Sequence, residues 1–320
     1  MELLEGLVLA FPDLLELHGK NRKLVVNKAL LTANRVGIIS LGGTGHEPAL
    51  SGVVGPGMLD IAVAGNIFAA PGPQDVLEAI RLADRGHGVL LIILNHTGDI
   101  MSGTAALKDA EKENINVRSI VTYDDIFSEP RTNASNRRGM VGCVLLYHIA
   151  GAAAEKGMCL EEIEKISQDF ANNMATLSVA VSAASHPATG LLLSAIDADE
   201  MQIGIGQHGE GGGKRYKMMS ANATAEFMVS RLVEDLSLQS GEKAMLVING
   251  SGSTTIMEMC IVFRHAYKVL TKKGIKIVAS YCGELLTTQE QGGFQMFLAR
   301  MNDTTLSLWN SPCRTPYFSR

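Results

Sequence analysis

The residues best equipped for chemistry lie in the stretch Ile203–Lys217, where six of the ten positions from Gly204 to Gly213 are glycine. Glycine this dense marks backbone held at positive φ, or brought very close to another group. At its centre stands His208, with a carboxylate two residues on at Glu210. A single histidine is by default a satisfied polar residue. One flanked by glycine has little cover from its neighbours and is presented to a cleft. A neutral imidazole nitrogen is a nucleophile at physiological pH, and histidine forms covalent intermediates.

Two letter matches in the same stretch do not hold. Gly204-x-Gly206-x-x-Gly209 fits the dinucleotide fingerprint, but that loop opens directly into a helix. Here Gly211, Gly212, Gly213 and a basic patch intervene, and helical periodicity resumes only near Ala221. A phosphate loop needs glycine where His208 stands and Ser or Thr where Arg215 stands. The chain shows no recognisable nucleotide loop.

A second group of candidates follows short apolar strands. Residues 36–41 read as a buried strand running into Gly42-Gly-Thr-Gly-His-Glu-Pro48, with His46 and Glu47 at its mouth. Pro48 suits the first turn of a helix, so a helix is expected to start there. A glycine loop feeding a helix N-terminus surrounds oxygen ligands with N–H groups, although a turn that needs glycine for geometry alone reads the same way. Val89–Leu94 is continuously apolar, as in a strand buried on both faces of a parallel sheet. It ends in Asn95-His-Thr-Gly-Asp99, with a helix expected from about Thr104 to Glu113. Ligands of open α/β sheets bind beyond the carboxyl ends of the strands. Asp99 there is a candidate general base, or alternatively a helix cap.

The elements that must position these groups alternate throughout. Residues 3–18 place Leu3, Leu4, Leu7, Phe11, Leu14 and Leu15 on one helical face. Helices are expected at Gln74–Asp84, Met140–Lys156, Leu160–Thr176, 222–238 and Thr255–Lys272. Further strands are expected at Ile61–Ala64, Val117–Thr122, Ser178–Ser185, 201–206, Ala244–Ile248 and Ile275–Ser280. Arg137-Arg138 in the polar loop Ser128–Gly139 reads as a solvated pair, with a carboxylate or phosphate contact as the alternative. A chain of 320 residues exceeds one ordinary core. The fold class expected is therefore α/β in two domains, 1–177 and 178–320, each a mixed sheet flanked by helices.

Composition excludes several classes. A net charge of −5 is wrong for a nucleic-acid surface. Five scattered cysteines without paired spacing argue against disulfides and a zinc site, and for a reducing compartment. The acidic N-terminus with its helical stripe is not a signal peptide. The longest uninterrupted apolar run, Val89–Leu94, falls far short of a membrane span. A cytoplasmic protein without membrane association is expected.

Taken together, these motifs resemble one family, the dihydroxyacetone kinase substrate-binding subunit (DhaK). The matching stretches are Gly42–Pro48, Gly55-Pro-Gly-Met-Leu59, Asn95–Asp99, Arg137-Arg-Gly139, Gly204–Glu210, Leu306–Pro312 and Thr315-Pro316, in the family's order along nearly the whole chain. The resemblance implies that His208 adds to the ketone carbon of a short-chain ketose as a hemiaminal. It implies that Asp99 accepts the proton of the hydroxyl to be phosphorylated, and that His46 hydrogen-bonds the substrate and assists proton transfer. Gly42, Gly43 and Gly209 are the implied backbone contacts, with Leu94 beside them. No cofactor is implied on this chain. Mg²⁺ and ATP or ADP belong to a helical nucleotide-binding partner subunit (DhaL-like), and the family suggests a homodimer.

The chain departs from the family pattern at Leu94, where lysine is common, at Gln207, where an apolar residue is usual, and at Gly211, where Pro or Ala is usual. Dihydroxyacetone kinase subunit is the leading expectation. A kinase subunit for a related ketose such as erythrulose, and a ketose-sensing transcriptional co-activator without catalysis, are the alternatives.

Overall fold

The computed structural model describes residues 1–208 and 213–320, which form two compact units that interleave along the sequence. One unit comprises Met1–Thr122, Cys143–Ala171 and Ser307–Arg320; the other comprises Tyr123–Gly142 and Asn172–Leu306. A cut near residue 177 therefore does not describe this division. It would also sever a strand, Met174–Ala180, whose seven residues are all buried.

In the first unit, helix α1 (Glu2–Ala10) precedes the antiparallel pair β1 (Leu15–His18) and β2 (Leu24–Asn27). The expected helix over 3–18 stops early because Pro12 disfavours helical geometry in the residue before it. Phe11 accordingly caps α1, and Leu15 turns into a strand. Then follow β3 (Gly37–Thr44), β4 (Ile61–Ile67), α2 (Pro73–Ala83), β5 (Val89–Leu94), α3 (Thr97–Lys112) and β6 (Val117–Thr122). Helices α4 (Gly142–Glu155) and α5 (Leu160–Asn172) complete it, with the tail from Ser307. The sheet order is β1-β2-β4-β3-β5-β6, and β4, β3, β5 and β6 run parallel to one another. Val89, Leu91 and Ile93 pack on α2 and α3 through Val76, Ile80, Ala106 and Ala110. Leu90, Ile92 and Leu94 point to the other face by strand alternation.

No α-helix starts at Pro48. The chain there makes a short 3-10 turn, Ser51–Val53, held tightly by the tail. A Cβ on Gly55, at φ +154°, would lie 2.2 Å from the Arg314 carbonyl oxygen. By contrast α3 begins seven residues before the expected start at Thr104, despite Gly98 and Gly103. A Cβ on Gly103 would fall 2.6 Å from the Ile93 side chain, so glycine lets this helix lie close on β5. Close packing outweighs the helix-propensity cost of roughly 1 kcal/mol per glycine.

The second unit carries β7 (Met174–Ala180), β8 (Glu200–Ile203), β9 (Lys214–Lys217), α6 (Ala221–Leu236), β10 (Lys243–Gly250), α7 (Ile256–Lys272), β11 (Lys276–Gly283) and β12 (Gly293–Arg300). Helix α8 (Asp303–Trp309) runs across the division between the units. The sheet order is β11-β10-β12-β7-β8-β9, parallel only between β10 and β11. Both sheets are thus mixed and flanked by helices, the expected α/β class. A capping box at Thr255 and Glu258 starts α7. The apolar faces of α6 and α7 (Met228, Leu232, Val262, Ala266) cover the sheet.

The Arg137–Arg138 pair is not solvated. Arg137 is 1% exposed and places both Nη atoms on Asp235, which also receives Nε of Arg131 at 3.0 Å. Arg138 binds Asp125 through Nε at 2.8 Å. These carboxylate contacts were the alternative reading. The Asp235 partner is remote in sequence and shows no local signal.

Candidate functional site

In the first unit the parallel strands β3 and β5 end side by side, and the candidates Gly42, Gly43, His46, Leu94 and Asp99 all follow from those ends. Gly43 permits a close chain approach, because a Cβ there would stand 2.7 Å from the Ala69 amide nitrogen. His46 is buried, with its ring 5.1 Å from that of Phe68. Glu47 pins the loop by accepting the Gly45 amide at 3.0 Å, and burial pushes its carboxyl above the usual range. Leu94 is buried at the last position of β5, beside Thr122 of β6. It shares a sheet face with Ile92, whose partner Ser40 hydrogen-bonds Tyr147 of α4 at 2.9 Å.

Asp99 lies in the first turn of α3 rather than in a loop ahead of the helix. It is 7% exposed, and its Oδ1 is buried with no hydrogen-bond partner among the described residues. Burial raises its carboxyl from 3.8 to about 7. Desolvation disfavours the charged form, so this group exchanges a proton near neutrality, as a general base must. The Ala69–Pro71 segment packs on the turn that carries Asp99: a Cβ on Gly98 would lie 3.1 Å from the Ala70 Cβ.

His208 belongs to the second unit, in a turn after β8, and is half-buried. Gly209 and Glu210 lie outside the described residues. The approach to His208 is firmly set. Gly204 has φ +85°, and a Cβ there would fall 2.0 Å from the Phe127 ring. Its carbonyl accepts Nη2 of Arg138 at 2.9 Å. The Ile205 carbonyl accepts the Ser178 hydroxyl at 2.5 Å, and the Gln207 carbonyl accepts the Thr288 hydroxyl at 2.6 Å. Glycine in this stretch thus provides both a positive φ and a close approach.

The first unit therefore gathers five of the candidates at neighbouring strand ends, while His208 stands in the second. Sequence reasoning missed Gln291, whose buried Nε2 has no partner among the described residues; Gln207 Oε1 is in the same condition. A buried polar group left unsatisfied costs about 1–3 kcal/mol. Only burial identifies Gln291, and a single sequence does not display it. Among the described residues no group of three or more His, Cys, Asp or Glu could hold a metal ion. None of the described helices is long and apolar enough to cross a membrane.

Comparison with known proteins bears on nearly the whole chain. The Dak1 domain matches residues 5–317. A PTS-dependent dihydroxyacetone kinase dihydroxyacetone-binding subunit from Listeria innocua is 36% identical over 302 residues, covering 94% of this chain and 91% of the relative. The solved structure of a dihydroxyacetone kinase operon co-activator, Dha-DhaQ, superposes with a TM-score of 0.92 at 32% identity, covering 98% of this chain and 97% of the other. The dihydroxyacetone kinase of C. freundii gives a TM-score of 0.89 at 28% identity, and this chain, 99% covered, spans 58% of it.

Proposed function

The chain belongs to the Dak1 domain family, among its DhaK substrate-binding subunits, and on that premise we propose that it binds a short-chain ketose covalently and presents a hydroxyl for phosphorylation. A neutral His208 ring nitrogen adds to the ketone carbon. The carbonyl oxygen takes up a proton as the other ring nitrogen gives one up, leaving a neutral hemiaminal and no leaving group. Only a ketone or aldehyde forms this bond, so glycerol is rejected by the chemistry itself. The adduct also fixes the ketose in one orientation, which lowers the entropic part of the barrier.

Asp99 then takes the proton from the terminal hydroxyl as that oxygen attacks phosphorus. The observation that carries this step is its buried Oδ1 and a carboxyl raised to about 7. His46 hydrogen-bonds the ketose, with Gly42, Gly43 and Gly209 as backbone contacts and Leu94 as an apolar wall. The phosphoryl group comes from a separate helical subunit carrying nucleotide and Mg²⁺; this chain, as a homodimer, contributes ketose and base. The reading sets the protein in the cytoplasm, which its five free cysteines support.

A second reading, a ketose-sensing co-activator, is favoured by the TM-score of 0.92 to a co-activator structure. Both readings require ketose binding, but only the first requires Asp99 as a base. The test is to mix the chain with dihydroxyacetone, Mg-ATP and a nucleotide-carrying helical subunit, and to measure ketose phosphate. The kinase reading expects product that Asp99→Asn abolishes. Ketose binding without product supports the co-activator.

A further inference from the structure

Phe127 makes two kinds of contact. Its ring packs on Gly204, ahead of His208, and it also lines a cavity of about 370 Å³ in the second unit. Every residue lining that cavity belongs to the same unit. None of the described ketose-site candidates is among them. Small-molecule sites run from ~300 to ~1,000 Å³. At ~30 Å³ per water the space equals roughly a dozen waters, which is room for a ring system rather than for one inorganic ion.

The walls combine aromatic rings with an excess of positive charge. Tyr216 and Phe227 meet edge to face with ring centroids 5.7 Å apart, and Phe127 adds a third ring. Three guanidinium groups line the cavity against two carboxylates. Asp235 accepts from Arg131 and Arg137 together, so one carboxylate answers two guanidinium charges. Arg231 is exposed and stands 5.6 Å from the Phe227 ring centroid, and its contact with Glu234 is stretched to 3.5 Å. Turning that guanidinium to a ligand therefore gives up little. Lys214, 5.5 Å from the Tyr216 ring, adds to the positive surroundings.

This lining selects by charge and by shape. A cation would meet the three arginines. A doubly charged phosphate would lie against Asp235 and Glu234 and leave the aromatic walls uncovered. A neutral ring would cover the walls but leave the surplus charge unanswered. A single carboxylate on a flat aromatic body suits both features, since guanidinium groups pair with carboxylates through parallel bonds and aromatic rings pack edge to face or offset.

We propose that this cavity is a binding site for an aromatic monocarboxylate, held by Arg231 and by the Phe127, Tyr216 and Phe227 rings. Its occupant would rest on the ring that packs on Gly204. The site is separate from the ketose chemistry and does not depend on it.

Calorimetry on the full chain with 2-naphthoate tests this. The expected result is submillimolar binding, with 2-naphthamide, acetate and inorganic phosphate each weaker by roughly tenfold or more, because a hydrogen bond to a charged group or the ring contacts are lost. Arg231→Glu should weaken 2-naphthoate by a similar factor, with a thermal melt confirming the fold. Saturating dihydroxyacetone should not displace it, and His208→Ala should leave its affinity unchanged. The wild-type comparison stands whether or not the Arg231 variant folds. Absence of 2-naphthoate binding, an amide or phosphate that binds as well, displacement by dihydroxyacetone, or full affinity in the folded Arg231→Glu variant overturns the proposal. Each of these results leaves the ketose reading standing, for dihydroxyacetone binding is measured separately.

Discussion

The Ser102 hydroxyl donates to the Pro71 carbonyl at 2.5 Å, fastening the second turn of α3 to the segment that packs on the turn carrying Asp99. Burial, rather than a neighbouring like charge, is the cause of the raised Asp99 carboxyl. Ser102→Ala removes a bond contributing about 1 kcal/mol and loosens that packing. Water then reaches the carboxylate, and the acid limb of the activity profile in the reconstituted complex should move below pH 7. A limb that stays in place while the melting temperature falls would make Ser102 purely structural.

Asp99 also leaves a signature in stability. Its carboxyl titrates near 7 in the folded chain and near 3.8 unfolded. Between those values the folded state holds a proton that the unfolded state has lost, so stability declines as pH rises from about 4 to about 7 and the loss persists above. Asp99→Asn removes this dependence. Its melting temperature should exceed that of the wild type at pH 8, and the gain should vanish toward pH 4. Thermal melts across that range read the difference; a gain equal at both ends would contradict the burial of an ionisable carboxyl.

Asp235 holds two guanidinium groups, Arg131 and the fully buried Arg137. Asp235→Ala strands a buried charge, which costs about 3–5 kcal/mol. Chemical denaturation should show a loss of that size. A change below 1 kcal/mol would mean that water replaces the carboxylate without difficulty.

The missing nucleotide loop leads to a further expectation. Alone, the chain should give no heat of binding with Mg-ATP in calorimetry. A micromolar signal would sink the two-subunit scheme.

Much of this was legible in the sequence wherever a signal was local. The run Val89–Leu94 announced β5 by its unbroken apolar residues, and the helix expected at Thr255–Lys272 corresponds to α7. The glycine loops pointed to His46 and His208, because glycine at such density demands close approach. What escaped depended on remote partners. Arg137 looked solvated until Asp235 appeared beside it, and α3 looked shorter until Gly103 met Ile93. Leu15 carried on an apolar stripe that Pro12 had already ended. Gln291 had no signal at all, since an unsatisfied amide is recognised only by what surrounds it.

The central claim is the covalent histidine, and carbon-13 NMR of dihydroxyacetone labelled at its carbonyl tests it most directly. With the wild-type chain the bound signal should leave the ketone region for that of a tetrahedral carbon bonded to nitrogen and oxygen, and His208→Ala should abolish it. A bound ketose that keeps its ketone signal, or an adduct that survives His208→Ala, would contradict the account.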